Sequence, residues 1–170
     1  MRAAGGGILS DAGERNQKTI EVDSLLLSLA TDRLQLLLPL AAVAEILEEA
    51  PQPAPADQPW LHGWLPWRGC EIPLLAYEGI ADGASAAPWA SHRVAIIKAV
   101  GPAASQGFYG LAIRELPRPL RLSADSDLRA LDVAAPRGAA LVVEVRGEPA
   151  LIPDFDLLEQ LVVSAGLSRN

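Results

Sequence analysis

Apolar residues in this chain come mostly in short runs set apart by turn-forming residues. Leu25 to Ala30 and Leu34 to Leu38 flank Thr31-Asp32-Arg33, and their lengths and punctuation predict a β-hairpin, although leucine is a mediocre strand former. Pro39 ends the second run. From Leu40 to Glu49 the period changes: Leu40, Val43, Ala44 and Leu47 share one face while Glu45, Glu48 and Glu49 fall off it, which predicts a short amphipathic helix stopped by Pro51. Pro51 to Pro59 holds four prolines in nine residues and reads as an extended, polyproline-like connector. Trp60 to Trp67 and Ile72 to Leu75 then flank Arg68-Gly69, a turn dipeptide, so a second hairpin is expected with Arg68 at its tip.

The rest of the pattern is similar. Gly79 to Ser91 reads as a loop rich in Gly, Ala and Ser, with Trp89 as its one large apolar anchor. Arg93 to Val100 is a strand ended by Gly101-Pro102, and Phe108 to Leu116 pairs with it across a loop containing Ser105-Gln106-Gly107. Pro117 and Pro119 confine the following segment to a sheet edge or a loop, and Ala124 to Ala135 is assigned a helical turn. Ala139 to Val145 and Ala150 to Pro153 make a last hairpin around Arg146-Gly147-Glu148. Asp154 to Val163 closes the chain as a helix, capped by Asp154 or Asp156, with Phe155, Leu158, Leu161 and Val162 on one face. The fold class is mostly β, with paired small barrels and two short peripheral helices. An Arg-Gly turn followed by an apolar-Pro-apolar run occurs at Trp67 to Leu75 and again at Val145 to Asp154. Two barrels of one plan produce that echo, and so does chance in a hairpin-rich chain.

Composition narrows the function. The 170 residues fit one domain or two small intertwined subdomains, and half of them are hydrophobic, enough for a substantial core. A net charge of −7 argues against nucleic acid, whose phosphates need a clustered basic surface, and favours a basic partner surface. The single cysteine, Cys70, excludes an internal disulfide and points to a reducing compartment. Met1 to Gly7 lacks the pattern of a signal peptide, and Leu25 to Ala44 is interrupted by Asp32, Arg33, Gln35 and Pro39, so a cytoplasmic protein without membrane insertion is expected. Residues 1–23 read as a mobile tail, 24–165 as the folded domain and 166–170 as a C-terminal tail.

Catalytic chemistry finds no support. His62 and His92 are the only histidines, and no nucleophile elbow or phosphate-cradling glycine loop is present. One cysteine and two separated histidines do not make a tetrahedral metal site, and Asp154 with Asp156 suits a helix cap better than a ligand pair. Neither an enzyme nor a cofactor is expected. Trp, Tyr and Arg dominate interface hot spots, and here they concentrate at Trp60, Trp64, Trp67, Arg68 and Tyr77. Trp64 and Trp67, an odd number of residues apart, face opposite sides of a regular strand, which makes one of them a candidate for the outside.

Taken in order, these pieces resemble the CheW family of chemosensory coupling proteins from Leu25 to Val163. The resemblance is carried by the opening hairpin, the segment Leu40 to Leu47, the Gly63 to Gly69 stretch ending in Arg68-Gly69, and the Ile72-Pro73-Leu74-Leu75 run. The strands Arg93 to Ala99 and Tyr109 to Ile113 follow, and then the strand and helix from Ala150 to Leu158. The family's usual Asn-Leu-Arg-Gly is Pro66-Trp67-Arg68-Gly69 here, and aspartates usual in the family are replaced around Ala76-Tyr77-Glu78 and at Arg114. These departures, with the run Arg114 to Arg118, look like the divergent ChpC branch, associated with type IV pili and twitching motility. The resemblance implies two intertwined five-stranded SH3-like β-barrels. It also implies a non-enzymatic adaptor between methyl-accepting chemoreceptors and the regulatory domain of a CheA-type histidine kinase. The family's receptor-contact arginine maps onto Arg68, its helix contacts onto Val43 and Glu45, and the strand Val94 to Ile96 onto the border of its binding groove. The alternative is a small-ligand sensing domain with a cavity between the barrels lined by Trp64, Ile96 and Ile113.

Overall fold

A computed structural model describes residues 19–29, 34–53, 58–83, 93–101, 107–123 and 125–167. The Thr31-Asp32-Arg33 turn, Trp89, His92, Ser105-Gln106 and residues 1–18 lie outside the described residues. The strands are β1 (Glu21–Ser28), β2 (Gln35–Pro39), β3 (Val43–Leu47), β4 (Gln52–Pro53), β5 (Leu61–Trp67), β6 (Cys70–Leu75), β7 (Arg93–Lys98), β8 (Phe108–Ile113), β9 (Arg118–Ser123), β10 (Leu128–Ala130), β11 (Ala139–Val145) and β12 (Glu148–Pro153). Helix α1 (Tyr77–Ala81) follows β6 and α2 (Phe155–Leu167) follows β12. One sheet runs β10-β11-β12-β2-β1-β9 and the other β4-β5-β6-β8-β7-β3. Each consists of five longer strands and one short one, the two-residue β4 or the three-residue β10.

The two orders are the same plan. Moving every strand of one sheet six places along the chain generates the other, including the parallel pairs β12·β2 and β6·β8 amid antiparallel neighbours. The chain is therefore two consecutive units of six strands and a helix. Each barrel takes its first two strands from one unit and its last four from the other. This accounts for the Arg-Gly echo and for the intertwining.

The arrangement buries strands on both faces, which explains runs of leucine where a half-exposed strand alternates. Leu25, Leu27, Leu36 and Leu38 enter a large core between the sheets, whereas Leu26 and Leu37 turn into the first barrel with Leu122, Val143, Val145 and Ala150. In β7, Ala95 and Ile97 join the shared core while Val94 and Ile96 fill the second barrel with Leu65, Trp67, Ile72, Leu74 and Ala112. The shared core is capped by Leu158, Leu161, Val162 and Ala165 of α2, whose first turn is capped by Asp154 Oδ1 accepting from Leu157 N at 3.1 Å.

Several local expectations need correction. The helix expected over Leu40 to Glu49 is a 3-10 turn (Leu40–Ala42) running into β3. A bulge between Val43 and Glu45 explains the misreading: it puts Val43 and Ile46 on the shared-core side and Ala44 and Leu47 on the barrel side, so a strand acquires a near-helical period of three. Residues 125–135 hold a turn and β10 instead of a helical turn, and the expected loop from Gly79 begins inside α1, whose last three residues are 79–81. Strand β1 starts at Glu21, inside the segment read as tail, and α2 continues to Leu167. The proline-flanked β9 does lie at a sheet edge, where a missing amide leaves no ladder bond unmade.

Candidate functional site: the Arg68 hairpin tip and the β3 edge

Strands β5 and β6 are joined by two residues, with Trp67 opposite Cys70. Arg68 has φ 47° and Gly69 φ 78°, the pair of positive angles of a primed hairpin turn. Glycine adopts this conformation freely. Arginine carries a steric cost on the order of 1–2 kcal/mol there, so the native contacts hold Arg68 at the tip against local preference. Its side chain is 68% exposed.

The contacts come from β3, an edge strand of the same sheet. The bulge at Ala44 turns Glu45 to the side occupied by Leu47, which is the side of Trp67. Glu45 Oε2 accepts from Trp67 Nε1 at 3.0 Å and from Arg68 Nη2 at 3.1 Å. The Arg68 guanidinium lies 4.6 Å from the Trp67 ring centroid, within cation–π range. Trp67 is itself packed against Phe108, with centroids 4.7 Å apart and planes tilted by 57°. One carboxylate oxygen, an indole and a guanidinium thus form a single cluster, rooted in the second barrel and open at its outer edge.

The sequence model of the CheW-like domain matches residues 24–162, most of the chain. The chain belongs to the CheW-like domain family. CheW-like proteins are non-enzymatic scaffold proteins of chemotaxis-type signalling, and this chain is one of them. Its fold is similar to that of a scaffolding protein, TtCheW from Thermoanaerobacter tengcongensis, with a TM-score of 0.62 at 15% identity, covering 79% of this chain and 90% of that one. No curated protein matches the sequence.

Of the residues singled out in this CheW-like sequence, Arg68, Trp67 and Glu45 meet in one cluster. Val43 is half-buried at the start of β3 and packs on the shared core. Trp64 lies on the opposite face of β5 from Trp67, as alternation requires, and it is the more exposed of the two. Val94 and Ile96 are fully enclosed in the second barrel, so they support the β3 edge from beneath and present no contact surface. Phe108 is the cluster member that sequence reasoning missed. It begins a strand in the other unit and has no local signal, because only the parallel β6–β8 pairing between the units brings it to Trp67.

The geometry does not assemble a common cavity from Trp64, Ile96 and Ile113. Trp64 and Ile113 belong to the shared core and Ile96 to the second barrel. The described surface has a shallow cavity of about 280 Å³ elsewhere, lined by Asp23, Ser24, Leu40, Pro119, Leu120 and Arg121. Among the described residues no three His, Cys, Asp or Glu side chains gather as a metal site, and no helix is long and apolar enough to cross a membrane.

Proposed function

We propose that this CheW-like protein couples a methyl-accepting chemoreceptor to the regulatory domain of a CheA-type histidine kinase, docking through the Arg68 hairpin tip and the β3 edge. One observation carries the reading: Arg68 is held in an unfavourable backbone conformation by Glu45 and Trp67, yet most of its side chain remains exposed. Such preorganisation lowers the side-chain entropy lost on binding. Affinity of the wild type and Arg68→Ala for a purified receptor signalling domain and a kinase regulatory domain tests it. Loss of about 2 kcal/mol, roughly thirtyfold, is expected for a desolvated anchor. Equal binding by the two proteins removes Arg68 from the interface.

The output we propose is type IV pilus twitching motility. Support comes from the Trp67-Arg68 pair, Glu78 and the Arg114 to Arg118 run, which resemble the ChpC branch. Deletion of the gene should abolish twitching and spare swimming, whereas the reverse phenotype assigns the protein to a flagellar pathway.

A further inference from the structure

The duplicated plan supplies an internal comparison, because each barrel has one Arg-Gly tip. Arg146 has φ 49° and Gly147 φ 88°, matching Arg68 and Gly69. Arg146 is engaged along most of its length: its backbone N donates to Asp127 O at 3.1 Å, Nε to Asp127 Oδ1 at 3.3 Å and Nη2 to the Arg121 carbonyl at 2.8 Å. It braces β9 and the turn after it. In the second barrel β3 occupies the place of β9, and Arg68 reaches it through Nη2 alone, to Glu45. The residue before the arginine differs as well. Val145 is simply buried in its barrel, whereas Trp67 adds a ring beneath the guanidinium and a second donor to the same carboxylate oxygen.

We propose that Trp67 is the positioning residue of the docking site, holding Arg68 in its contact pose and presenting its remaining in-plane donors to a carboxylate on the partner. This rests on the docking role given above for Arg68. Stacking covers one face of the guanidinium, and the bond to Glu45 fixes its rotation about the stack. With one Nη2 hydrogen given to Glu45, the second Nη2 hydrogen pairs with Nε–H or Nη1–H as the planar fork that matches a carboxylate, which an ammonium group lacks. Without the indole, Glu45 and Arg68 form an ordinary exposed ion pair, whose geometry is loosely held.

The test combines binding with a measurement on the free protein. Calorimetry against the receptor signalling domain and the kinase regulatory domain compares the wild type with Arg68→Ala, Arg68→Lys, Trp67→Leu, Trp67→Phe and Trp67→Leu/Arg68→Ala. Trp67→Leu should weaken binding about tenfold and Trp67→Phe, which keeps a stacking ring, by less. Trp67→Leu should cost nothing further once Arg68 is alanine. Arg68→Lys should lose nearly as much as Arg68→Ala. In the free protein, the Arg68 Nε–Hε relaxation should show an ordered side chain that becomes mobile in Trp67→Leu. An equal loss from Trp67→Leu in both backgrounds makes Trp67 a core residue only, and unchanged Arg68 order in that variant overturns the inference directly. Wild-type affinity in Arg68→Lys overturns the carboxylate assignment. If Arg68→Ala binds like the wild type, or neither partner binds at all, the docking reading falls and takes the inference with it.

Discussion

Arg68 and Arg146 occupy the same strained conformation for different physical returns. Arg146 makes two side-chain bonds across its barrel beside one from its backbone, so Arg146→Ala, which removes the two, should destabilise the protein by about 1–2 kcal/mol, read from the denaturant midpoint. Arg68 contributes an exposed ion pair and one cation–π contact, so Arg68→Gly, which also removes the left-handed strain, should leave stability within about 0.5 kcal/mol while partner binding is lost. A large destabilisation by Arg68→Gly would instead make the tip a structural clasp like its counterpart. The Arg146 clasp also titrates. Asp127 accepts from Ser123 N at 2.8 Å and from Arg146, and these bonds hold its carboxyl below the usual carboxylate range. Its contribution is present above the ordinary carboxylate pKa and is lost as the pH falls toward the lowered value.

At the scale of elements, one buried carboxylate ties a helix to a strand end and one glycine sets the packing inside a barrel. Glu159 of α2 is almost wholly buried, and its two carboxylate oxygens accept from Val100 N and Gly101 N at 2.7 Å each, tying the C-terminal helix to the end of β7. A Cβ on Gly101 would collide with that carboxylate. Glu159→Ala leaves two amides without their acceptor and should cost about 1–3 kcal/mol, with faster hydrogen exchange at Val100 and Gly101. Gly110 of β8 faces into the second barrel, where an added Cβ would lie 2.8 Å from Leu74 Cδ1 and 2.9 Å from Val94 Cγ1. Gly110→Val should overpack it and cost about 1–3 kcal/mol, and the thermal midpoint measures the loss.

The whole molecule behaves as one unit because neither repeat owns a barrel. Residues 1–90 and 91–170 expressed separately should show no cooperative unfolding, and mixing them should restore it, since each sheet needs strands from both. Independent folding of either piece would contradict the interleaved plan. The shared core also contains both tyrosines of the chain. Burial raises the Tyr77 and Tyr109 phenols above their ordinary value of about 10, with the charges of Asp154 and Glu159 adding to the effect. The unfolded chain releases these protons first, so the tyrosines' contribution to stability is intact below about pH 10 and falls as the pH rises beyond it. Phenolate absorbance should therefore appear together with unfolding, and not before.

The sequence by itself determined the local pieces whose physics is local. The hairpin turns at Arg68-Gly69 and Arg146-Gly147 follow from turn chemistry, the edge position of β9 from its prolines, and the opposed faces of Trp64 and Trp67 from strand alternation. Tertiary structure alone decided the rest. The β3 bulge gives a strand a helical period, so pattern reading goes wrong at the segment that carries Glu45. Val94 and Ile96 look like any β-branched residues until both faces of β7 are covered, and Phe108 joins the site only through pairing between repeats. Hydrophobic periodicity reports that a residue is buried, but not against what. The cluster of Glu45, Trp67, Arg68 and Phe108 depends on that second question, which only the interleaving of the two units answers.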